Sequence, residues 1–181
     1  FAIFFVSSIL ICIPLAFYYQ NAHPFLTDAG IENQTGKMAI GQISEALFLL
    51  LIPMFFVRFG FKKTILVGML AWAIRYLLFA YGNGADLSFM LIIGIALHGI
   101  CYDFFFVAGQ IYTNSKKKEK YKSAAQGLIT LATYGVGMLI GFGVAGWITD
   151  NYKTLEGKID WEMVWIIPAG IAITVFVLFA L

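Results

Sequence analysis

Runs of about twenty apolar residues recur along this sequence and leave few folds open to it. Each run is close to the ~20 residues that a helix needs to cross a bilayer, and much longer than the roughly ten-residue alternating strands of a membrane barrel. Soluble domains are about 45–50% apolar and about 25% charged, whereas this chain is 61% hydrophobic and 12% charged. The sequence therefore predicts an all-α integral membrane protein with six transmembrane helices. The six runs are 2–26, 38–57, 64–81, 87–112, 123–148 and 162–181.

The charges between these runs predict the orientation. The loops at 58–63 and 113–122 hold eight lysines and arginines and one acid, whereas the other three loops, with Glu162 at their edge, hold three lysines and seven acids. Loops rich in Lys and Arg stay on the cytoplasmic side, so both ends of the chain are expected to be cytoplasmic. The basic residues of the second basic loop are interpreted as a topology signal, with binding to lipid headgroups or nucleic acid as the alternative. They are Lys116, Lys117, Lys118, Lys120 and Lys122.

Both ends of the chain lie inside apolar runs. It begins at FAIFFVSSIL without an initiator Met and stops at VFVLFAL. We expect residues 1–181 to be one six-helix domain of a longer protein.

The second run carries two polar side chains that are unusual in such a segment. Gln42 and Glu45 stand three residues apart in GQISEALF, so a helix places them on one face. At 1.5 Å per residue, Glu45 lies about 10 Å below the outer end of its helix. A charge at that depth is costly, and such residues usually face a bundle interior where they bind substrate, ions or protons. The pair predicts a binding face for a small polar solute.

Polar residues on two other helices are expected near the same depth. Tyr19 and Gln20 in the first run are predicted to line a cavity, whereas Tyr18 and Asn21 fit a cavity or an interfacial belt equally well. Arg75 in the third run falls roughly 17 Å above the inner boundary, where an unpaired guanidinium is very costly.

The simplest partner for Arg75 is Glu45, or a polar cavity beside it. A purely structural pair with an acid and an extension of the side chain towards the outer surface are the alternatives.

The fourth run contains His98, Tyr102 and Asp103. His98 and Tyr102 are four apart and share a helix face, so His98 is either a structural residue or part of the site. Asp103 falls about 24 Å down, too deep to reach Glu45 easily. Its expected partner is Arg58 or Lys62, which would make it a gating or structural latch, with proton transfer as the alternative.

Several function classes are disfavoured by the sequence. Two distant histidines and two cysteines in apolar runs do not form a metal site, and the sequence has no phosphate-binding or dinucleotide fingerprint. Acids at different depths do not fit an intramembrane enzyme, and a pore would need rings of repeated polar groups. We therefore expect no enzyme activity, no metal and no cofactor. Asymmetric polar groups at mid-depth on several helices are typical of a secondary transporter.

Four segments in this order resemble the C-terminal half of the nucleoside:proton symporter family, within the major facilitator superfamily. They are GQISEALF (41–48), AWAIRYLLFAYG (71–82), HGICYDFFFVAG (98–109) and SAAQG (123–127). The short basic loop R-F-G-x-K-K between the second and third runs is also similar. The resemblance covers essentially all of residues 1–181 and implies helices 7–12 of a twelve-helix transporter whose N-terminal half is absent.

The resemblance also implies roles for individual residues. Gln42 and Glu45 match the family's Gln-x-x-Glu substrate-binding pair. His98 and Tyr102 match an aromatic pair, Tyr and Phe, that packs around the ligand, and they differ from that pair in type.

The first helix departs further from the family pattern, because the family's Gln-x-x-Asn falls on Ala16 and Tyr19. The carboxylate site is thus retained while other ligand contacts are changed. The candidate substrate-binding residues are Gln42, Glu45, His98, Tyr102, Tyr19 and Gln20. The candidate proton-coupling residues are Glu45, Asp103 and Arg75.

The predicted function is proton-coupled uptake of nucleosides by a symporter (a permease) in a bacterial-type inner membrane. Its expected partners are a small polar solute, membrane lipid, the N-terminal half of the same protein and a coupling proton, but not nucleic acid. A symporter for a sugar or another polar solute and a non-transporting membrane scaffold are the alternatives.

Overall fold

The computed structural model describes residues 2–116 and 118–181, and Lys117 of the basic run lies outside these ranges. In the described residues, five helices are long and apolar enough to cross a membrane. The described residues contain no β-strand beyond an isolated bridge between Lys153 and Ile159, so the all-α prediction is confirmed. The helices are α1 (Ala2–Asp28), α2 (Gln34–Tyr81), α3 (Ser88–Lys116), α4 (Glu119–Asn151) and α5 (Trp161–Ala180).

Helix α2 reverses direction at Gly60. This residue has φ 74° and ψ 171°, a conformation that glycine adopts readily and other residues avoid. Glu45 and Arg75 each lie fifteen positions from Gly60, so a straight helix would hold them about 45 Å apart. Both side chains nevertheless contact His98, at 3.5 and 3.0 Å, which requires the two parts of the helix to run side by side. We call the parts α2a (residues 34–59) and α2b (residues 61–81).

The basic segment between α2a and α2b was predicted to be a loop at 58–63. The structure keeps it helical except at Gly60, because a single residue with positive φ is sufficient to turn the chain. The second predicted basic loop is also shorter than expected, since α3 continues to Lys116 and α4 begins at Glu119.

Helix α3 lies against both parts of α2. Ser44 on α2a donates a hydrogen bond of 2.5 Å to the Ala96 carbonyl oxygen. On α2b, Nε1 of Trp72 donates one of 3.0 Å to the Cys101 carbonyl oxygen. One hydrogen bond from each part of α2 thus fixes the position of α3 along the helix axes.

Helices α1, α4 and α5 complete the domain. α4 packs on α1, where Asn21 donates a buried hydrogen bond of 3.0 Å to Oγ1 of Thr149. α5 packs on α1 and α2, with the ring of Trp165 stacked 5.6 Å from that of Tyr76. The core therefore runs along α1 and α2b.

Helices α3 and α4 each contain a π-helical turn, at Asp103–Val107 and Leu131–Gly137. A π-turn inserts an extra residue into an α-helix, and such turns are frequent at functional sites. Helix α3 is also interrupted at Leu97, directly before His98. The interruption and the π-helical turn of α3 thus flank His98 and Tyr102.

Candidate functional site

A line of three side chains from three helical segments forms the centre of the candidate site. Nε2 of His98 lies 3.5 Å from Oε2 of Glu45, and Nδ1 of the same imidazole lies 3.0 Å from Nη1 of Arg75. His98 and Arg75 are buried, at 1% and 0% exposure, whereas the Glu45 side chain is 30% exposed. His98 therefore connects a fully buried cation to a carboxylate at the surface of the domain.

The contact with Arg75 defines which nitrogen of His98 carries a proton. A guanidinium has only donors, so Nδ1 must accept the hydrogen bond and cannot hold a proton. The neutral ring then carries its proton on Nε2, which faces Glu45. In this arrangement His98 presents a donor to the carboxylate.

Arg75 is held in place by aromatic rings as well as by His98. Its guanidinium carbon lies 3.5 Å from the centroid of the Tyr18 ring and 5.7 Å from that of Trp72. Cation–π contacts of this kind are worth up to about 2 kcal/mol when desolvated. Arg75 does not extend to the outer surface, and the direct pair with Glu45 that the sequence suggested is replaced by a contact through His98.

The local sequence explains how Glu45 comes to lie beside His98. A Cβ atom on Gly99 would lie 2.5 Å from the carbonyl carbon and oxygen of Ser44 and 2.6 Å from the Glu45 amide nitrogen. Only glycine therefore permits the backbones of α2a and α3 to meet here. The hydrogen bond from Ser44 to α3 then sets the level at which Glu45 stands next to the imidazole.

The face around Glu45 is open at the surface of the domain. Gln42 is exposed and Tyr19 is 47% exposed, while Gln20 is half-buried, with its Nε2 near Gly146 of α4. Gln42 and Glu45 share one face of α2a and Tyr19 adds an exposed ring on α1, whereas the Gln20 amide lies towards α4.

Tyr18 and Asn21, for which the sequence allowed either a cavity or an interfacial belt, are both buried. The ring of Tyr18 stacks 5.4 Å from the His98 ring at 26°, directly beneath the site. Asn21 is occupied by its bond to Thr149, so it joins helices and does not face the open surface.

Tyr102 extends the face towards α4. Its ring lies 5.8 Å from that of His98, and its hydroxyl forms a hydrogen bond with the hydroxyl of Tyr134. Sequence reasoning missed Tyr134, which stands among small residues in LATYGVG. The feature of the sequence that could have indicated it is a single tyrosine, with a ring and a hydroxyl group, in a glycine-rich segment.

The structure contradicts the predicted partners of Asp103. The side chain is fully buried and neither carboxylate oxygen has a hydrogen-bond partner among the described residues. Its neighbours on α3 lie level with Gly68 and Trp72 of α2b, at least six residues, or about 9 Å, from Lys62. A latch to Arg58 or Lys62 is therefore wrong for this conformation.

A helical membrane domain with a carboxylate, an imidazole and phenols at the middle of its helices has the features of a secondary transporter. The chain matches the family model described as "Nucleoside H+ symporter" over residues 1–181. It therefore belongs to the nucleoside:proton symporter family.

Proteins of known sequence that resemble the chain are transporters and not enzymes. It is 41% identical to the putative nucleoside transporter YegT of Escherichia coli, over 99% of this chain and 44% of that protein. It is 31% identical to the nucleoside permease NupG of Escherichia coli, over 95% of this chain and 44% of that protein. The xanthosine permease of Escherichia coli is 30% identical over 98% of this chain and 45% of that protein.

The chain also resembles a solved structure over nearly its whole length. The crystal structure of the nucleoside transporter NupG superposes with a TM-score of 0.90 at 30% identity, over 99% of this chain and 47% of that one. The chain thus spans somewhat less than half the length of the relatives it matches.

Proposed function

We propose that this chain is the C-terminal half of a proton-coupled nucleoside symporter of the bacterial inner membrane. The observation that carries the proposal is that Glu45, with 30% of its side chain exposed, contacts His98, which is buried and hydrogen-bonded to Arg75. A carboxylate at mid-membrane depth is costly, and such residues usually mark substrate, ion or proton pathways. The names of the similar proteins, a nucleoside permease among them, support the substrate class.

The architecture that we propose is one half of a major facilitator-type fold with six membrane passes. The reversal at Gly60 supports this count, because it converts α2 into two antiparallel passes. Six passes place both ends on one side, and the basic residues around Gly60 and between α3 and α4 make that side cytoplasmic. The N-terminal half would cover the open face around Glu45.

We assign the solute to this open face. Gln42 and Gln20 offer amide donors and acceptors, Glu45 accepts, and Tyr19 and Tyr102 add hydroxyls and rings. Ribose hydroxyls and base edges present matching groups, and aromatic rings can stack on a base. His98 lies behind the carboxylate and orients it towards the solute.

For proton coupling we propose Glu45 as the group that takes up the coupling proton from one side of the membrane and releases it on the other as the solute is transported. Arg75 acts through His98, because its bond to Nδ1 keeps a donor directed at Glu45. Asp103 is a second candidate, since a buried carboxylate without a hydrogen-bond partner is costly when charged. No cofactor other than the proton is required.

The exposure of the polar face argues against a membrane scaffold. In a scaffold the polar side chains would serve as hydrogen-bonded contacts between helices. Gln42 is instead exposed and Glu45 has 30% of its side chain free. By contrast, Asn21 and Thr149 of the same domain form a structural contact of this kind, because they are hydrogen-bonded to each other and buried between helices.

Uptake measurements on the transporter that contains this chain test the proposal. Tritiated uridine should accumulate in vesicles with an inward proton gradient, and a protonophore should abolish the accumulation. Excess adenosine should compete, whereas excess glucose or lactose should not. Competition by the sugars and not by adenosine would indicate a sugar symporter.

A further inference from the structure

Tyr134 is a partly exposed residue to which neither the resemblance nor the chemistry of Glu45 gives a role. It lies in the π-helical turn of α4 and is 40% exposed. Its hydroxyl is hydrogen-bonded to that of Tyr102, which directly precedes the π-helical turn of α3. The bond therefore joins two irregular helix segments at the open face of the domain.

Aromatic contacts place this hydroxyl pair beside the site described above. The Tyr134 ring lies 5.9 Å from that of Phe106, which is 5.2 Å from that of Tyr102. Tyr102 in turn lies 5.8 Å from His98. The pair thus continues the wall formed by His98 and Glu45 onto α4.

The chemistry of the pair defines what it can bind. Each phenol hydroxyl has one proton and two acceptor lone pairs. Because the bond between them uses one proton and one lone pair, one donor and three acceptor positions remain free at an exposed bond. A solute group that both donates and accepts, such as a sugar hydroxyl, complements this arrangement.

We propose that Tyr134, together with Tyr102, forms a subsite for the ribose hydroxyls of the transported nucleoside. The inference rests on the proposed function. The family resemblance places Phe at the position of Tyr102, so a hydroxyl pair here is a feature of this chain. Tyr134 contributes one of the two hydroxyls and, by its bond, holds the Tyr102 ring in position.

The test measures selectivity between nucleosides that differ only in their ribose hydroxyls. The transporter that contains this chain is assayed with tritiated uridine and tritiated 2′,3′-dideoxyuridine. The wild type should transport uridine with the higher Vmax/KM. Tyr134→Phe and Tyr102→Phe should each reduce that preference roughly three- to tenfold, the size of a lost neutral hydrogen bond.

The double variant and a control separate a subsite from a structural contact. Tyr102→Phe/Tyr134→Phe should lose little more preference than either single variant, because one substitution already breaks the pair. Tyr81→Phe, which alters an exposed tyrosine at the end of α2, should leave the preference unchanged. Membrane abundance, measured by immunoblot, normalises all rates.

Three results would overturn the inference. They are a wild type without preference for uridine, an unchanged preference in both single variants, and an equal loss of transport for both nucleosides. The last result would identify the tyrosine pair as a structural contact between α3 and α4. A wild type that takes up neither uridine nor dideoxyuridine would overturn the proposed function and this inference with it.

Discussion

Nη1 of Arg75 lies 3.0 Å from Nδ1 of His98, and both side chains are buried in the middle of the helical domain. The guanidinium is a permanent cation, and its donor occupies Nδ1, the ring nitrogen that is not directed at Glu45. The charge of Arg75 and the carboxylate of Glu45 are thereby connected through a single ring.

Arg75→Lys should impair transport strongly. A lysine ammonium is a compact charge that cannot stack over Tyr18 and reach Nδ1 with a planar fork. Loss of a hydrogen bond to a charged group costs about 1.5–3 kcal/mol, so uridine uptake should fall at least tenfold. Arg58→Lys, which alters an exposed arginine near Gly60, is the matched control and should leave uptake unchanged. Equal uptake by the two variants would remove Arg75 from the site.

The proton on His98 can be observed directly. In transporter labelled with ¹⁵N-histidine, the His98 signals, assigned by their absence in His98→Gln, should show a protonated Nε2 and an unprotonated Nδ1. Arg75→Met should allow the other tautomer to appear, because the donor that blocks Nδ1 is removed. A protonated Nδ1 in the wild type would contradict the observed hydrogen-bond geometry.

Gly60→Ala should destabilise the domain. The residue adopts φ 74°, and placing a side chain in such a conformation costs about 1–3 kcal/mol. We expect a lower melting temperature in detergent and less transporter in the membrane. Gly170→Ala is the control, because an added Cβ there would meet no atom within 4 Å. If both variants melt alike, the turn does not depend on glycine.

Asp103→Asn should separate proton coupling from folding. Asparagine has nearly the same shape and cannot ionise, and the wild-type carboxylate has no hydrogen bond to lose. Membrane abundance should therefore match that of the control Asp150→Asn, an exposed site. Uptake driven by a proton gradient should fall, while uridine exchange without a gradient is retained. Wild-type accumulation by Asp103→Asn would exclude Asp103 from coupling.

The sequence was sufficient to predict the helical class, because long apolar runs have no other solution in a bilayer. It also placed Glu45 and Arg75 at compatible depths, since the rise per residue in a helix is constant. The length of α2 did not follow from the sequence. The basic residues 58–63 indicated a loop, whereas one glycine turns the chain while its neighbours stay helical.

The partners within the site could not be predicted, because depth says nothing about the rotation of a helix about its axis. That rotation depends on contacts such as Gly99 against Ser44, which place His98 between Glu45 and Arg75. Helix α3 also continues to Lys116, four residues beyond the predicted end at residue 112, so Asp103 lies farther from the basic end of the domain than expected, and this accounts for the wrong partners. Tyr134 lies in a π-helical turn, where the regular 3.6-residue periodicity that sequence reasoning uses does not hold.

Glu45→Gln tests the central claim most directly. Vesicles containing the wild-type transporter or Glu45→Gln are given tritiated uridine with an inward proton gradient, with Glu162→Gln, at an exposed position, as the control. Glutamine preserves the size of the side chain and removes its ability to carry a proton. We predict that proton-driven accumulation persists in the control and falls at least tenfold, or about 1.4 kcal/mol, in Glu45→Gln. Accumulation by Glu45→Gln at the wild-type level would contradict the assignment of Glu45 to the transport site.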